Sequence, residues 1–101
     1  MDLESQIITA IREKRQMKIN YKGYGDRIVC PHVLYFSSAG NKLVDTYQIS
    51  GYSEHPQQIP GWRPFQLSEI TDFSILDEKF EVAPGYNPSN RDKYSTIIEN
   101  I

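Results

Sequence analysis

The spacing of apolar residues changes once along the chain, and this change predicts one helix followed by strands. Residues 3–11 carry apolar side chains at helical spacing, directly after an aspartate, Asp2, that can cap the first turn. The basic run at 12–15 suits the negative end of the helix dipole. In residues 16–22 apolar and polar side chains then alternate, which is typical of a half-buried strand.

Four more strands are predicted over 27–36, 42–52, 60–67 and 70–76, separated by turns and by a loop with two prolines, SEHPQQIPG at 53–61, whose end overlaps the fourth strand. The strand at 27–36 is apolar in both alternating sets, so we expect both of its faces to be covered; Pro31 inside it implies an edge or a bulge. Apolar residues at 94, 97, 98 and 101 predict a short final helix over 91–101. Together these elements predict a mainly β (α+β) fold, a small antiparallel sheet or barrel capped by its terminal segments.

The segment PGWRPFQL, residues 60–67, places a cation on an apolar face. Alternation in a strand puts Arg63 on the same face as Phe65 and turns Trp62 to the other face. One interpretation is a ligand site at the rim of the barrel, where Arg63 binds a carboxylate or phosphate and Trp62 stacks on a ring. Its predicted residues are Arg27, Tyr47, Gln48, Trp62 and Arg63. The alternative is an internal ion pair of Arg63, for example with Asp45, and a Trp62 covered by the loop or by the C-terminal tail.

Composition narrows the class of protein. The 101 residues suit one domain, and a net charge of −2 with a pI near 5.6 argues against a general binder of phosphate backbones. A single cysteine, the lack of a secretion signal and the lack of a long apolar run predict a cytoplasmic protein with no membrane contact.

The candidate chemistry of Cys30 and His32 is incomplete. They stand two residues apart on one strand, but two ligands do not make a metal site and His55 lies in a remote loop. A nucleophilic set of Cys30, His32 and Asp45 lacks an element that would activate the thiol. We therefore expect no catalytic residues, no metal and no cofactor, and predict that the protein is not an enzyme.

Charge is distributed unevenly along the sequence. Residues 12–22 are mostly basic and residues 66–81 mostly acidic. These segments either offset each other within the fold or form a self-complementary surface for a homodimer.

Several short motifs follow one another in a definite order. They are Ala10–Ile11, Ile19–Tyr21, Arg27–Leu34, Tyr47–Gly51, Gly61–Phe65, Arg63–Ile70 and Pro84–Asn87, with Pro31–His32 inside the third. Their order and spacing resemble the WYL domain family, and in particular its short stand-alone bacterial members.

The resemblance implies an SH3-like or Sm-like five-stranded barrel. It also implies two parts of the chain. Residues 1–82 form the barrel domain and its N-terminal helix, and residues 83–101 form a tail that contains the short C-terminal helix and packs on the barrel. WYL domains usually follow a helix-turn-helix in bacterial transcription regulators, where they are thought to sense ligands that include nucleotides and single-stranded nucleic acid. We therefore expect a non-enzymatic ligand-sensing or regulatory module that binds a small anionic ligand or nucleotide.

The sequence also departs from the family pattern. Leu43–Asp45 stands in place of the Trp-Tyr-Leu tripeptide, and Gln66 and Glu69 replace two arginines of the last motif, which weakens binding of single-stranded nucleic acid. No helix-turn-helix precedes the domain, so the chain is not expected to be a sequence-specific repressor by itself. The alternative function is an oligomerisation or protein-interaction module without a small ligand.

Overall fold

A computed structural model describes residues 2–90 and 92–101 of the protein, and within them it shows one helix and six strands. The helix α1 spans Leu3–Glu13. The strands are β1 (Arg15–Tyr21), β2 (Asp26–Phe36), β3 (Lys42–Gly51), β4 (Gly61–Gln66), β5 (Ile70–Lys79) and β6 (Thr96–Asn100). Single 3₁₀ turns at Pro56–Gln58 and Leu67–Glu69 precede and follow β4.

Local sequence accounts for both ends of α1. The Asp2 carboxylate accepts a hydrogen bond of 2.7 Å from the Ser5 N–H, as predicted, and Lys14 ends the helix in a left-handed conformation. Ile7, Ala10 and Ile11 form its buried face. Among the described residues, no helix has the length and apolar character needed to cross a membrane.

The strands form one antiparallel sheet in the order β4-β3-β2-β1-β5. β2 is the longest strand, and two strands pair with the same edge of it. β1 pairs with the first half of β2, and β6 pairs with the second half. Within the described residues no strand ladder joins β4 to β5, so the sheet is open rather than a closed barrel. The mainly β architecture with an N-terminal helix is confirmed.

The predicted C-terminal helix is wrong. Residue 91, where that helix was expected to begin, lies outside the described residues, but Thr96–Asn100 forms β6 and pairs antiparallel with β2. β1 leaves the β2 edge beyond Val29 without a partner, and the run Thr96-Ile97-Ile98 is β-branched and suits a strand. Pairing at an open edge therefore outweighed a helical spacing of apolar residues.

Both faces of the sheet are covered, as the sequence of β2 predicted. The face against α1, called the inner face, holds the main core. The opposite face, called the outer face, holds a smaller cluster in which Val33 and Tyr35 pack against Tyr94 from the C-terminal segment. The buried residues of the inner core are Ile7, Ala10, Ile11, Met17, Ile19, Val29, Leu34, Val44 and Phe65.

The pairing of β1 with β5 brings the basic and acidic segments side by side. Arg15 contacts Asp77 and Glu13, each at 3.2 Å, and the Lys79 ammonium donates to the Glu13 carbonyl at 3.1 Å. Part of the charge imbalance is therefore offset within the fold. The dimer surface stays a prediction.

Candidate functional site

The five residues predicted to form one site lie in two groups on opposite faces of the sheet. In the β3–β4 register, Thr46 pairs with Arg63 and Tyr47 pairs with Trp62, so alternate residues point to different faces. Arg27, Gln48 and Arg63 lie on the inner face, at the end of the sheet away from the core centre. Tyr47 and Trp62 lie on the outer face, which confirms the opposed placement of Arg63 and Trp62 expected from alternation.

The buried amide of Gln48 is oriented by the backbone. Its nitrogen donates to the carbonyl oxygens of Ser50 at 3.1 Å and Tyr52 at 2.8 Å. Its oxygen therefore points to the Arg27 guanidinium, which donates to it across 3.4 Å. This is a long hydrogen bond to a neutral acceptor, so it neutralises none of the charge on Arg27.

Arg27 is a buried cation that packs against aromatic rings, and only 7% of the residue is exposed. Its guanidinium carbon lies 5.1 Å from the ring centre of Phe65, 5.2 Å from that of Tyr52 and 5.8 Å from that of Tyr21. Such ring faces attract a cation and restrict its orientation. Burial lowers the pKa of the Arg27 guanidinium, and the positive charge of Arg63 acts in the same direction.

Arg27 and Arg63 line one open cleft of about 260 Å³, which we call the arginine cleft. Arg63 donates to the Gln58 side-chain oxygen at 3.0 Å and to the Trp62 carbonyl at 3.3 Å. This volume is below the range of about 300–1,000 Å³ that is typical of drug-sized ligands, so it suits a small ligand or the charged part of a larger one. The lining residues are Tyr21, Lys22, Tyr24, Arg27, Ser53, Glu54, His55, Gln58, Arg63, Pro64 and Phe65.

The arginine cleft carries excess positive charge. Lys22 adds a third cation to the two guanidinium groups, whereas Glu54 is the one carboxylate in the described lining. Within 2–90 and 92–101, neither Arg27 nor Arg63 forms an ion pair with a carboxylate, and the Arg27 Nε is buried without a hydrogen-bond acceptor. An anion that enters this cleft would therefore meet cations whose present partners are neutral.

On the outer face, Trp62 is covered by the C-terminal segment. Its indole N–H donates to the Pro84 carbonyl at 2.7 Å, and its ring stacks on Tyr86 with 6.4 Å between centres. Tyr47 meets the same indole edge-on at 5.5 Å. Trp62 therefore packs against the tail, one of the two arrangements that the sequence left open.

Asp45 is not the partner of Arg63, because the two residues lie on opposite faces. The Asp45 carboxylate is 1% exposed, accepts a hydrogen bond from the Tyr94 hydroxyl at 2.6 Å and forms an ion pair with the Lys93 ammonium at 2.8 Å. This ion pair, of which only the carboxylate is buried, joins β3 to the C-terminal segment. Desolvation and the Asp45 carboxylate both raise the pKa of Tyr94 above its ordinary value.

Cys30 and His32 have separate structural surroundings. Burial raises the pKa of the Cys30 thiol to about 11, so the thiol is protonated and unreactive at neutral pH. Both ring nitrogens of His32 contact backbone groups, the Cys30 carbonyl and the Ala83 N–H. In the described part of the chain, no three His, Cys, Asp or Glu side chains are placed to hold one metal ion.

Several residues of the arginine cleft were not predicted. Tyr21 ends β1, Tyr24 lies in the turn after it, and Gln58 belongs to the loop between β3 and β4. Tyr52, from the same loop, contacts the Arg27 guanidinium but is not part of the cleft lining. The clustering of tyrosines around two glycine-containing turns was the available signal. Their convergence on Arg27 depends on strand register, which alternation alone does not determine.

Comparison with known proteins identifies the fold. A scan of protein-family models found no match, and a search of curated proteins found none either. Among solved structures, the chain is similar to proteasome accessory factor B/C (PafBC) of Arthrobacter aurescens, which contains a WYL domain, with a TM-score of 0.67 and 18% identity. The match covers 84% of this chain and 13% of that protein, so the chain corresponds to a small part of it. This likeness supports a WYL-like fold.

Proposed function

We propose that the protein is a non-enzymatic ligand-sensing or regulatory module that binds a small anionic ligand or nucleotide in the arginine cleft. The observation that carries the proposal is the pair of guanidinium groups in one open cleft, neither of them paired with a carboxylate of the described chain. The WYL-like fold is consistent with this function. The resemblance implied an SH3-like barrel, and we propose that the sheet, although it is open between β4 and β5, is the counterpart of that barrel.

The two arginines have different parts in the proposed binding. Arg27 is buried and oriented by rings, so it supplies a fixed charge with little loss of conformational freedom on binding. Arg63 is half-buried and is held by the Gln58 amide, a neutral acceptor that a carboxylate or phosphate can displace. Tyr24, which is 58% exposed beside the cleft, is available to contact the remainder of the ligand.

Calorimetric titration of the whole chain tests the proposal. The probes are inorganic phosphate, a nucleoside 5′-monophosphate, the uncharged nucleoside and a short single-stranded oligonucleotide, each at low and moderate salt. We expect the anionic probes to bind and salt to weaken them. Trp62 emission is a poor reporter here, because the indole lies on the opposite face from the cleft.

Two arginine variants make the test specific. Arg63→Ala should weaken the anionic probes by about ten- to hundredfold, since a charge-assisted hydrogen bond contributes about 1.5–3 kcal/mol. Arg12→Ala removes the same charge from α1, where Arg12 pairs with Glu99 at 3.1 Å, and should leave binding nearly unchanged. Equal weakening by both variants, or no binding of any probe to the wild type, would refute the proposal.

Oligomerisation without a small ligand stays the alternative function. This alternative depends on the charged side chains of the basic segment at β1 and the acidic segment at β5 that are not paired with each other. Light scattering at high protein concentration and low salt tests it, because a self-complementary charged surface should give dimers that dissociate as salt is added.

A further inference from the structure

His32 connects the centre of the sheet to the C-terminal segment. The side chain has no exposed surface and lies at a bulge of β2, where the β2–β3 register shifts between Pro31 and Val33. Its ring packs against Trp62, Phe80 and Tyr86, with centres 4.8, 5.0 and 5.3 Å away. We call residues 80–86, which cross the outer face at this point, the clasp.

The hydrogen bonds of His32 require a neutral ring. The Ala83 N–H donates to Nε2 at 3.0 Å, so Nε2 must present a lone pair. Nδ1 lies 2.7 Å from the Cys30 carbonyl oxygen, an acceptor, and must therefore carry the proton. This tautomer satisfies both nitrogens, and no other protonation state does.

We infer that protonation of His32 Nε2 releases the clasp from the outer face, which makes the C-terminal segment an acid-sensitive element of the fold. A proton taken from solvent occupies the lone pair that now accepts from Ala83. Two N–H groups then face each other at 3.0 Å, and a cation lies among three rings in a site with no water contact. Separation of the clasp restores hydration to the imidazolium and uncovers Trp62.

In the described chain, no side chain hydrogen-bonds to a ring nitrogen of His32. Burial is the main cause of a lowered pKa of His32, opposed by the Cys30 carbonyl and by the Asp45 carboxylate. Asp45 is engaged by Lys93 and Tyr94 through Oδ2 alone, and its buried Oδ1 makes no hydrogen bond to His32 or to any other described residue. The titratable or charged groups on the packed elements are Cys30, Asp45, Tyr47, Glu81, Tyr86, Lys93 and Tyr94.

The inference does not depend on a ligand in the arginine cleft, which lies on the inner face.

Amide hydrogen exchange of the whole chain between about pH 8 and about pH 5 tests the inference, with each exchange rate divided by the intrinsic rate at that pH. Below the ordinary histidine pKa of 6.5, the protection of the Ala83 amide should fall about tenfold per pH unit until the folded-state pKa is reached. The Val44 amide, in the centre of the sheet, should keep its protection.

Two variants and one direct observation complete the test. His32→Gln retains an acceptor that does not titrate and should abolish the pH dependence, while His55→Gln alters the exposed histidine and should preserve it. If His32→Gln does not fold, NMR titration of the wild-type imidazole decides, because Nδ1 should carry the proton at about pH 8 and ionisation should coincide with loss of Ala83 protection. Constant Ala83 protection, or parallel loss at Val44, overturns the inference.

Discussion

Removal of the Tyr94 hydroxyl should destabilise the protein by an amount set by the buried carboxylate of Asp45. Tyr94→Phe removes a 2.6 Å hydrogen bond to that carboxylate and leaves the aromatic ring, which meets Tyr35 edge-on at 4.7 Å, in place. A hydrogen bond to a charged group contributes about 1.5–3 kcal/mol. The remaining partner, Lys93, has a side chain that is 38% exposed, so its interaction is screened by water and compensates little.

The expected loss in the free energy of unfolding is therefore about 2 kcal/mol. The loss is not smaller than this because the other Asp45 oxygen is buried without a hydrogen bond to any described residue, so no second donor compensates for the missing hydroxyl. For a domain of this size, 1 kcal/mol corresponds to about 4–8 °C, so the melting temperature should fall by about 8–16 °C.

Urea denaturation followed by circular dichroism measures this change, and an unchanged m value would show that the compactness of the two states is unaltered. Tyr35→Phe is the matched control, because it deletes a hydroxyl from the neighbouring ring that makes no hydrogen bond to the described residues. If the two variants differ by less than about 0.5 kcal/mol, Tyr94 does not stabilise the Asp45 carboxylate and the reasoning fails.

Two further predictions concern alkaline stability and backbone conformation. Because the pKa of Cys30 rises from 9.0 to about 11 on folding, the folded state holds the thiol proton more tightly, and stability should fall as pH rises from 9.0 to about 11. Cys30→Ala should make that decline shallower in urea midpoints measured against pH; identical slopes would contradict it. Gly51→Ala should destabilise by more than about 1 kcal/mol in the same assay, since φ is +96° and a Cβ would overlap the Asp26 carbonyl and lie 2.6 Å from the Arg27 Cα. Gly40→Ala, at φ +85° with open space around it, should cost less, and equal losses would rule out the steric part of this argument.

The order of elements from residue 2 to residue 79 followed from local sequence. Apolar spacing and the Asp2 cap predicted α1, alternation of apolar and polar residues predicted β1, and apolar runs bounded by turns and a loop predicted β2 through β5. These patterns succeed because side-chain direction within a helix or strand is set by backbone geometry a few residues long. For the same reason the sequence predicted that Arg63 and Trp62 lie on opposite faces.

The C-terminal segment shows where local pattern was insufficient. Tyr94, Ile97, Ile98 and Ile101 have helical spacing, yet Thr96–Asn100 became β6 because the β2 edge offered backbone hydrogen bonds. That edge is created by the different lengths of β1 and β2, a property of the assembled sheet.

Alternation and composition by themselves determined a mainly β domain with an N-terminal helix, and placed a cation of β4 on its apolar face. The tertiary structure alone decided which distant groups meet: Arg27 with Arg63 in one cleft, Asp45 with Lys93 and Tyr94, and Trp62 with the clasp. The physical reason is that a strand pattern sets the direction of each side chain, whereas its partner depends on register and on the path of the C-terminal segment.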